Sequence, residues 1–407
     1  MISFLIQNKR WLAAGLILTF GSSFGQTYFI SLFAGALRAD YGLSDGDWGI
    51  LYTVATLGSA ALLLGRGSWA DTVPPYRLAP LIAGAYAAAA ALMALGGTVW
   101  MLGIAVFLLR FCGQGMLTHI AVTAMARWFV ATRGRALALT NLGYPLGEVL
   151  LPIPAVAMLA AFGWRVSWGG VAMLIALILA PVLFLLLAHD RAPTGHARTA
   201  SGAAGLYNRH WTRAQAVRHW LFWALVPFLL TPGFIGTVLF FHQTHVAEVK
   251  GWTLAAMVPG YPFYAGATVA MSFAAGWVCD RFNPAILLPI AVVPMGIGMA
   301  ALDTITNVGG WFMVLGMTGL TQGMVSALFG TLLPYIYGTN HLGAIRAVAM
   351  ALMVFSTAIG PGITGLVIDW GVPFPSQGAA MAVWCGVLSF AMVPIARRLS
   401  KSMGTTV

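Results

Sequence analysis

The chain has 407 residues, is 60% hydrophobic and only 8% charged. A water-soluble protein of this length needs far more charge to cover its surface, so the composition excludes a soluble enzyme or binding domain. The formal net charge of +11 raises the question of nucleic acid; the placement of the charges answers it below.

Apolar stretches of helical length recur from end to end and predict a polytopic α-helical membrane protein. They are continuous rather than alternating, which argues against a β-barrel. Twelve spans are expected, at roughly 11–37, 48–70, 78–97, 99–124, 136–160, 165–188, 220–244, 253–278, 285–304, 308–333, 346–368 and 377–396. "MISFLIQNKRW" leads straight into the first span with no small-residue cleavage site, so no cleavable signal peptide is expected.

Along the chain, the first span carries Gln26 near its middle, and the second ends in "GSWAD" at Asp71, followed by Pro74, Pro75 and Arg77. The fourth contains "AVFLLRFCGQGM" (105–116), with Arg110 inside an apolar run and Gln114 four residues on, on the same helical face. His119 lies about half a turn away from that face. The fifth holds Glu148, with Asn141 and Tyr144 seven and four residues before it. Arg110 is 11 residues into its span and Glu148 is 12 into the next, antiparallel one. At ~1.5 Å per residue, both fall about halfway through a ~30 Å core.

These two are the only charges expected in the membrane interior. An isolated charge there costs roughly 3 kcal/mol on insertion scales, so an Arg110–Glu148 pair is expected. That pair is either a fixed structural tie or a switch, in which protonating Glu148 frees Arg110 for a substrate carboxylate.

The polar, basic segment 189–219 follows the sixth span. Its first part reads as a flexible linker and its second, from Leu206, as a surface helix with Trp211 at the headgroups. His242 and His245 end the seventh span, and Tyr261 and Tyr264 lie in the eighth, which closes on "GWVCD" before Arg281. Gln322 is near the middle of the tenth. The pairs Met295/Met299 and Met313/Met317 are read as packing rather than metal ligands. Gly21/Gly25, Gly143/Gly147 and Gly319/Gly323 have the spacing of close helix contacts. The three cysteines fall in or at the ends of apolar segments, and no disulfide framework, metal or cofactor is expected.

The two halves repeat. "GSWAD" (67–71) and "GWVCD" (276–280) are 209 positions apart, and "GQGM" (113–116) and "TQGM" (321–324) are 208 apart. The expected domains are therefore a six-helix bundle at 1–188, a cytoplasmic linker at 189–219 and a second bundle at 220–407. With both termini cytoplasmic, only Arg38, Arg165 and Lys250 of the 21 basic residues fall outside, and all but Arg110 of the others fall inside. This is the positive-inside rule. It explains the basic charge by topology in a cell (inner) membrane and contact with the lipid bilayer, so no nucleic-acid partner is expected.

On these residues the chain resembles the major facilitator superfamily over essentially its full length. Gly67-x-x-x-Asp71 and Gly276-x-x-x-Asp280-Arg281 resemble the family's loop motif, and "RFCGQG" (110–115) its arginine-plus-glycine motif. "RGRALALTNLGYPLGEVLLP" (133–152) with "GWR" (163–165) is similar to bacterial members near the monocarboxylate porters. The eighth span lacks those porters' functional arginine, and "GPGITG" (360–365) is loosely similar to a drug–proton antiporter signature. The resemblance implies the all-α membrane fold of that superfamily, with twelve helices in two pseudo-symmetric bundles and alternating access. It implies gating roles for Asp71, Arg77, Asp280 and Arg281. It also implies a central cavity where Gln26, Arg110, Gln114 and Gln322 meet substrate, with Asn141, Tyr144 and Tyr264 as further lining.

The expected activity is secondary transport of a small organic anion by a monomer, coupled to H+ through Glu148. The alternative is a proton-coupled exporter of a drug-like or amphipathic metabolite, with Arg110 in a proton relay. A sensor without flux would call for a soluble domain that the chain does not show. No catalytic triad, HExxH, paired intramembrane aspartates or phosphate-binding GxxxxGK[ST] loop is present, so neither an enzyme nor ATP-driven transport is expected.

Overall fold

A computed structural model describes residues 2–188 and 204–403. The described residues are helical from end to end, with turns but no strands. This is how a chain without water around it satisfies its backbone, each N–H bonding within its own segment. Eight helices among the described residues are long and apolar enough to cross a membrane, nine if a bent pair is one span. One of the eight, Arg133–Leu187, runs for 55 residues, far more than the ~20 a single crossing needs. It holds the fifth and sixth spans, which meet at Gly163 (φ 77, ψ 171), a conformation open to glycine and almost nothing else.

The chain divides into two compact units, Met1–Arg198 with Pro361–Leu366, and Thr199–Gly360 with Val367–Val407. In the first, the opening span is broken. The helical segments Phe4–Gly25 and Thr27–Tyr41 meet at 43°, because Gln26 is extended (φ −81, ψ 152). The break follows "GSSFG", whose small residues let the chain leave the helix while neighbours press close. Gly25 lies against the Leu109 carbonyl and Gly113 of the fourth span, with no room for a Cβ. Gly143 and Gly147 bring the fifth span onto Thr19 and Ser23 of the first. Thr19 Oγ1 completes that seam by donating to the Thr140 carbonyl (2.5 Å).

At one end of this unit Arg165 ties three elements together. It bonds Asp40 (2.8 Å) and the Gly96 carbonyl at the end of the third span (2.8 Å), and lies over the Trp164 ring. Tyr41 donates to the same Gly96 carbonyl (2.7 Å). The core is aromatic, with Phe29 and Phe33 packed on Trp168 at 5.7 and 5.3 Å. Leu64, Leu81 and Trp100 face outward, as a surface bathed in lipid allows.

The second unit packs its eighth span (Tyr261–Arg281) against its tenth (Val308–Tyr337). Gly319 and Gly323 sit against Tyr264, Ala267 and Thr268, and Ser272 donates to the Gly323 carbonyl (3.3 Å). The expected ninth span is not a continuous helix. A tight turn at Pro284–Leu287 and further turns lead into a short helix, Val293–Ala301. Pro284, Pro289 and Pro294 recur every five residues, and each removes a helical N–H donor.

The linker expectation also changes. Its first part lies outside the described residues. In its second part only Arg213–Arg218 is an α-helix. Trp211 is buried rather than set among headgroups, because its N–H bonds the Tyr337 carbonyl and its ring packs on Tyr337.

Candidate substrate site

The centre of the first unit is built around Arg110, which is 2% exposed. The fourth span widens there into a π-helical stretch, Arg110–Leu117, a rare form that concentrates at functional sites. The guanidinium turns toward the break in the first span. Its Nη1 donates to the Gly25 carbonyl (3.2 Å) and to Thr27 Oγ1 (3.2 Å). The Gly25 carbonyl is available because the helix stops there. From the second span, Tyr52 presents its ring 5.2 Å from Arg110 Cζ and donates its hydroxyl to Thr27 Oγ1 (2.8 Å). Arg110 Nε is buried and has no hydrogen-bond partner.

The expected Arg110–Glu148 ion pair does not form. The salt bridges among the described residues of this unit are Arg38–Asp45, Arg127–Asp71 and Arg165–Asp40. The guanidinium is taken up instead by Gly25 and Thr27 of the first span, whose Ser23 and Tyr28 also lie against Gly147, the residue before Glu148. Glu148 is half-buried and makes no hydrogen bond or ion pair with any described residue.

Of the expected polar lining, Gln26 sits at the break and donates weakly to Ser22 Oγ (3.5 Å). Gln114 is half-buried in the π-helical stretch, Tyr144 is half-buried and Asn141 is exposed. Gln322 is half-buried in the second unit. Tyr264 belongs to the packing of that unit, 8% exposed with its ring edge-on to Phe240 at 5.0 Å. Tyr261 donates to Gln243 Oε1 (2.8 Å).

Among the expected gating residues, Asp71 is met by Arg127, not Arg77. Arg127 Nη2 reaches Asp71 Oδ1 (3.4 Å) and the carbonyls of Ala70 (3.1 Å) and Asp71 (3.2 Å). The end of the fourth span thereby caps the end of the second. Arg77 instead lies over the Tyr76 ring (5.3 Å). In the second unit Asp280 is exposed and Arg281 lies near the Trp277 ring (5.8 Å).

Sequence reasoning missed Thr27, Tyr52 and Arg127. Arg127 carried a signal, since it ends the fourth span on the same side as Asp71. Thr27 and Tyr52 carried none, because their roles depend on where the first span breaks. Two apolar cavities flank the spans, about 690 Å³ in the first unit by Asp47, Val54 and Trp100, and about 550 Å³ in the second by Thr231, Ser356 and Trp384. Neither is lined by Arg110, Gln114, Glu148 or Gln322.

The arrangement is a membrane-embedded cation held by neutral oxygens, with polar side chains about it. Its fold has many solved counterparts. A bacterial homologue of the human lysosomal transporter Spinster, inward-facing and unoccupied, matches with a TM-score of 0.69 at 18% identity over 98% of this chain and 95% of its own. A D-xylose–proton symporter matches at 0.68 and 16% identity over 99% and 100%. By sequence, "Probable sulfoacetate transporter SauU" of Cupriavidus necator is 27% identical over 191 residues, 46% of this chain and 44% of that protein. The chain thus matches less than half the length of this curated relative. The family model of the Major Facilitator Superfamily covers residues 15–361, and this chain, a multi-pass membrane protein, belongs to that superfamily.

Proposed function

We propose that the protein carries a small organic anion across the cell membrane with Arg110 as the anion anchor and Glu148 as the proton carrier. The observation that carries this reading is a buried guanidinium with no carboxylate partner among the described residues. The Gly25 carbonyl and Thr27 hydroxyl orient Arg110 without neutralising it. A charge at this depth is costly unless paired, and an arriving carboxylate or sulfonate is the missing partner. The unpaired Nε lies on the edge through which guanidinium takes such groups in bidentate fashion. Gln26 and Gln114 supply further hydrogen bonds from the same unit.

Glu148 acts at a distance from the anion. It has no cationic partner among the described residues, and the first span lies against both Arg110 and the neighbouring Gly147. Proton and substrate are therefore coupled through that span, not through a shared ion pair. The relatives support the reading in part. Sulfoacetate is an organic anion, and the xylose carrier is by name a proton symporter. The charge bias of the loops supports cytoplasmic termini, and Asp71 with Arg127 serves as a gating contact on that side.

The test is binding by purified protein, followed as thermal stabilisation by short carboxylates and sulfonates. Stabilisation by anions is expected, and Arg110→Gln should weaken it at least about tenfold, the loss of one or two charge-assisted hydrogen bonds. Arg110→Lys should recover only part of it, since an ammonium cannot form the bidentate pair. Ligands that are cations or neutral amphiphiles, binding equally well to Arg110→Gln, would overturn the assignment and favour the exporter reading.

A further inference from the structure

The junction between the linker and the seventh span is built more elaborately than a tether needs. The Gly205 N–H donates to the Arg209 carbonyl (3.0 Å) and the Trp211 N–H to the Tyr337 carbonyl (3.0 Å), fastening the segment to the end of the tenth span. Trp211 Nε1 donates back to the Leu206 carbonyl (3.3 Å) and Trp223 Nε1 to the Val217 carbonyl (2.7 Å). Tyr207 and Asn208 are held at φ 61 and 51, the left-handed region that residues with a side chain seldom adopt. Such strain persists only where the surroundings over-determine it.

These bonds shape a small cavity, about 40 Å³, bordered by Tyr207, His219, Trp220 and Arg398. That is room for a compact polar group. One guanidinium borders it, Arg398 over the Trp220 ring (5.2 Å), and a second, Arg209, lies over the Trp211 ring (4.2 Å). Trp211 in turn packs on His219 (4.8 Å). His219 Nδ1 is buried without a hydrogen-bond partner. Its pKa lies below the ordinary value, first through burial and then through Arg209 and Arg398, and no carboxylate counters them. Neither arginine has an ion-pair partner among the described residues, and no acidic residue occurs in 204–219 or 370–400. The helix Trp220–Phe241 starts at the cavity with no side-chain cap, which adds its free N–H groups to the positive field. Tyr207 and Trp220 at its border, and Trp223 three residues further along the helix, are about half to two-thirds exposed, as aromatic residues are at the level of lipid headgroups.

We propose that this cavity binds a phosphate group, that of an anionic lipid seated at the start of the seventh span. The guanidiniums take the phosphate oxygens, and the exposed aromatic rings lie along the glycerol and upper acyl chains. The site stands on residues separate from Arg110 and Glu148, so it holds or fails independently of the transport reading.

The test uses the full-length protein in detergent, with thermal unfolding measured on adding phosphatidylglycerol, phosphatidylcholine or inorganic phosphate. Phosphatidylglycerol should raise the unfolding temperature, and phosphatidylcholine and inorganic phosphate should raise it much less. The double variant Arg209→Gln/Arg398→Gln should lose at least half of the phosphatidylglycerol shift, while Arg213→Gln keeps it. A full shift in the double variant, or an equal shift with phosphatidylcholine, would overturn the proposal. A full shift with inorganic phosphate alone would assign the site to free phosphate and remove the lipid. Should the double variant fold poorly, native mass spectrometry of Arg398→Lys and of the unaltered protein decides the matter. Retained phosphatidylglycerol should fall in the variant, which keeps the charge but loses the planar group over Trp220, and undiminished retention would count against the site.

Discussion

Arg110 and Glu148 could be picked out of the sequence because each is a lone charge in a long apolar run, and charge in lipid is scarce for energetic reasons. Their partners could not. Whether Arg110 meets a carboxylate, a carbonyl or a ring depends on the break at Gln26, on the widened turns after Arg110 and on how closely Gly25 and Gly147 let the helices approach. None of these follows from the spacing of charges. The absence of a pair changes what substitution at Glu148 should do. If Glu148 held Arg110 in place, Glu148→Gln would disturb substrate binding. With no contact between them, Glu148→Gln should leave anion binding and anion–anion exchange nearly intact and remove accumulation driven by a pH gradient. Reconstituted vesicles can measure both. Accumulation that survives the substitution would take the proton-carrying role from Glu148.

At the scale of elements, hydropathy located the spans because length and apolar content are set by the bilayer itself. Interruptions inside a span were harder to see. The first span stays apolar through its 43° bend, and only "GSSFGQ" hinted at it. The ninth stays apolar through three prolines that prevent a continuous helix. The fifth and sixth spans were separated in the right place, and Gly163 is the reason the chain can turn there. Its surroundings are open, with nothing within 4 Å of where a Cβ would lie. Gly163→Ala therefore tests backbone strain without a clash. It should destabilise the protein by about 1–3 kcal/mol and lower the unfolding temperature. An unchanged unfolding temperature would mean that the turn relaxes into another conformation at no cost.

At the scale of the whole molecule, the superfamily was legible because its motifs repeat about 208 residues apart. The substrate was not, since it is read by a few polar groups whose arrangement the fold decides. The unpaired state of Arg110 and Glu148 has an electrical consequence. With Glu148 ionised, the two intramembrane charges of the first unit sum to zero. A monoanion arriving with one proton keeps that sum at zero, so neither the empty nor the loaded carrier does work against the membrane voltage. Uptake of a monocarboxylate into vesicles should therefore be indifferent to a potential imposed with potassium and valinomycin, and a strong voltage dependence would sink the one-proton scheme. A dianion with one proton would cross as a net negative charge, at about 2.3 kcal/mol for each 100 mV. For such a substrate, the voltage of the cell itself would set the limit of accumulation.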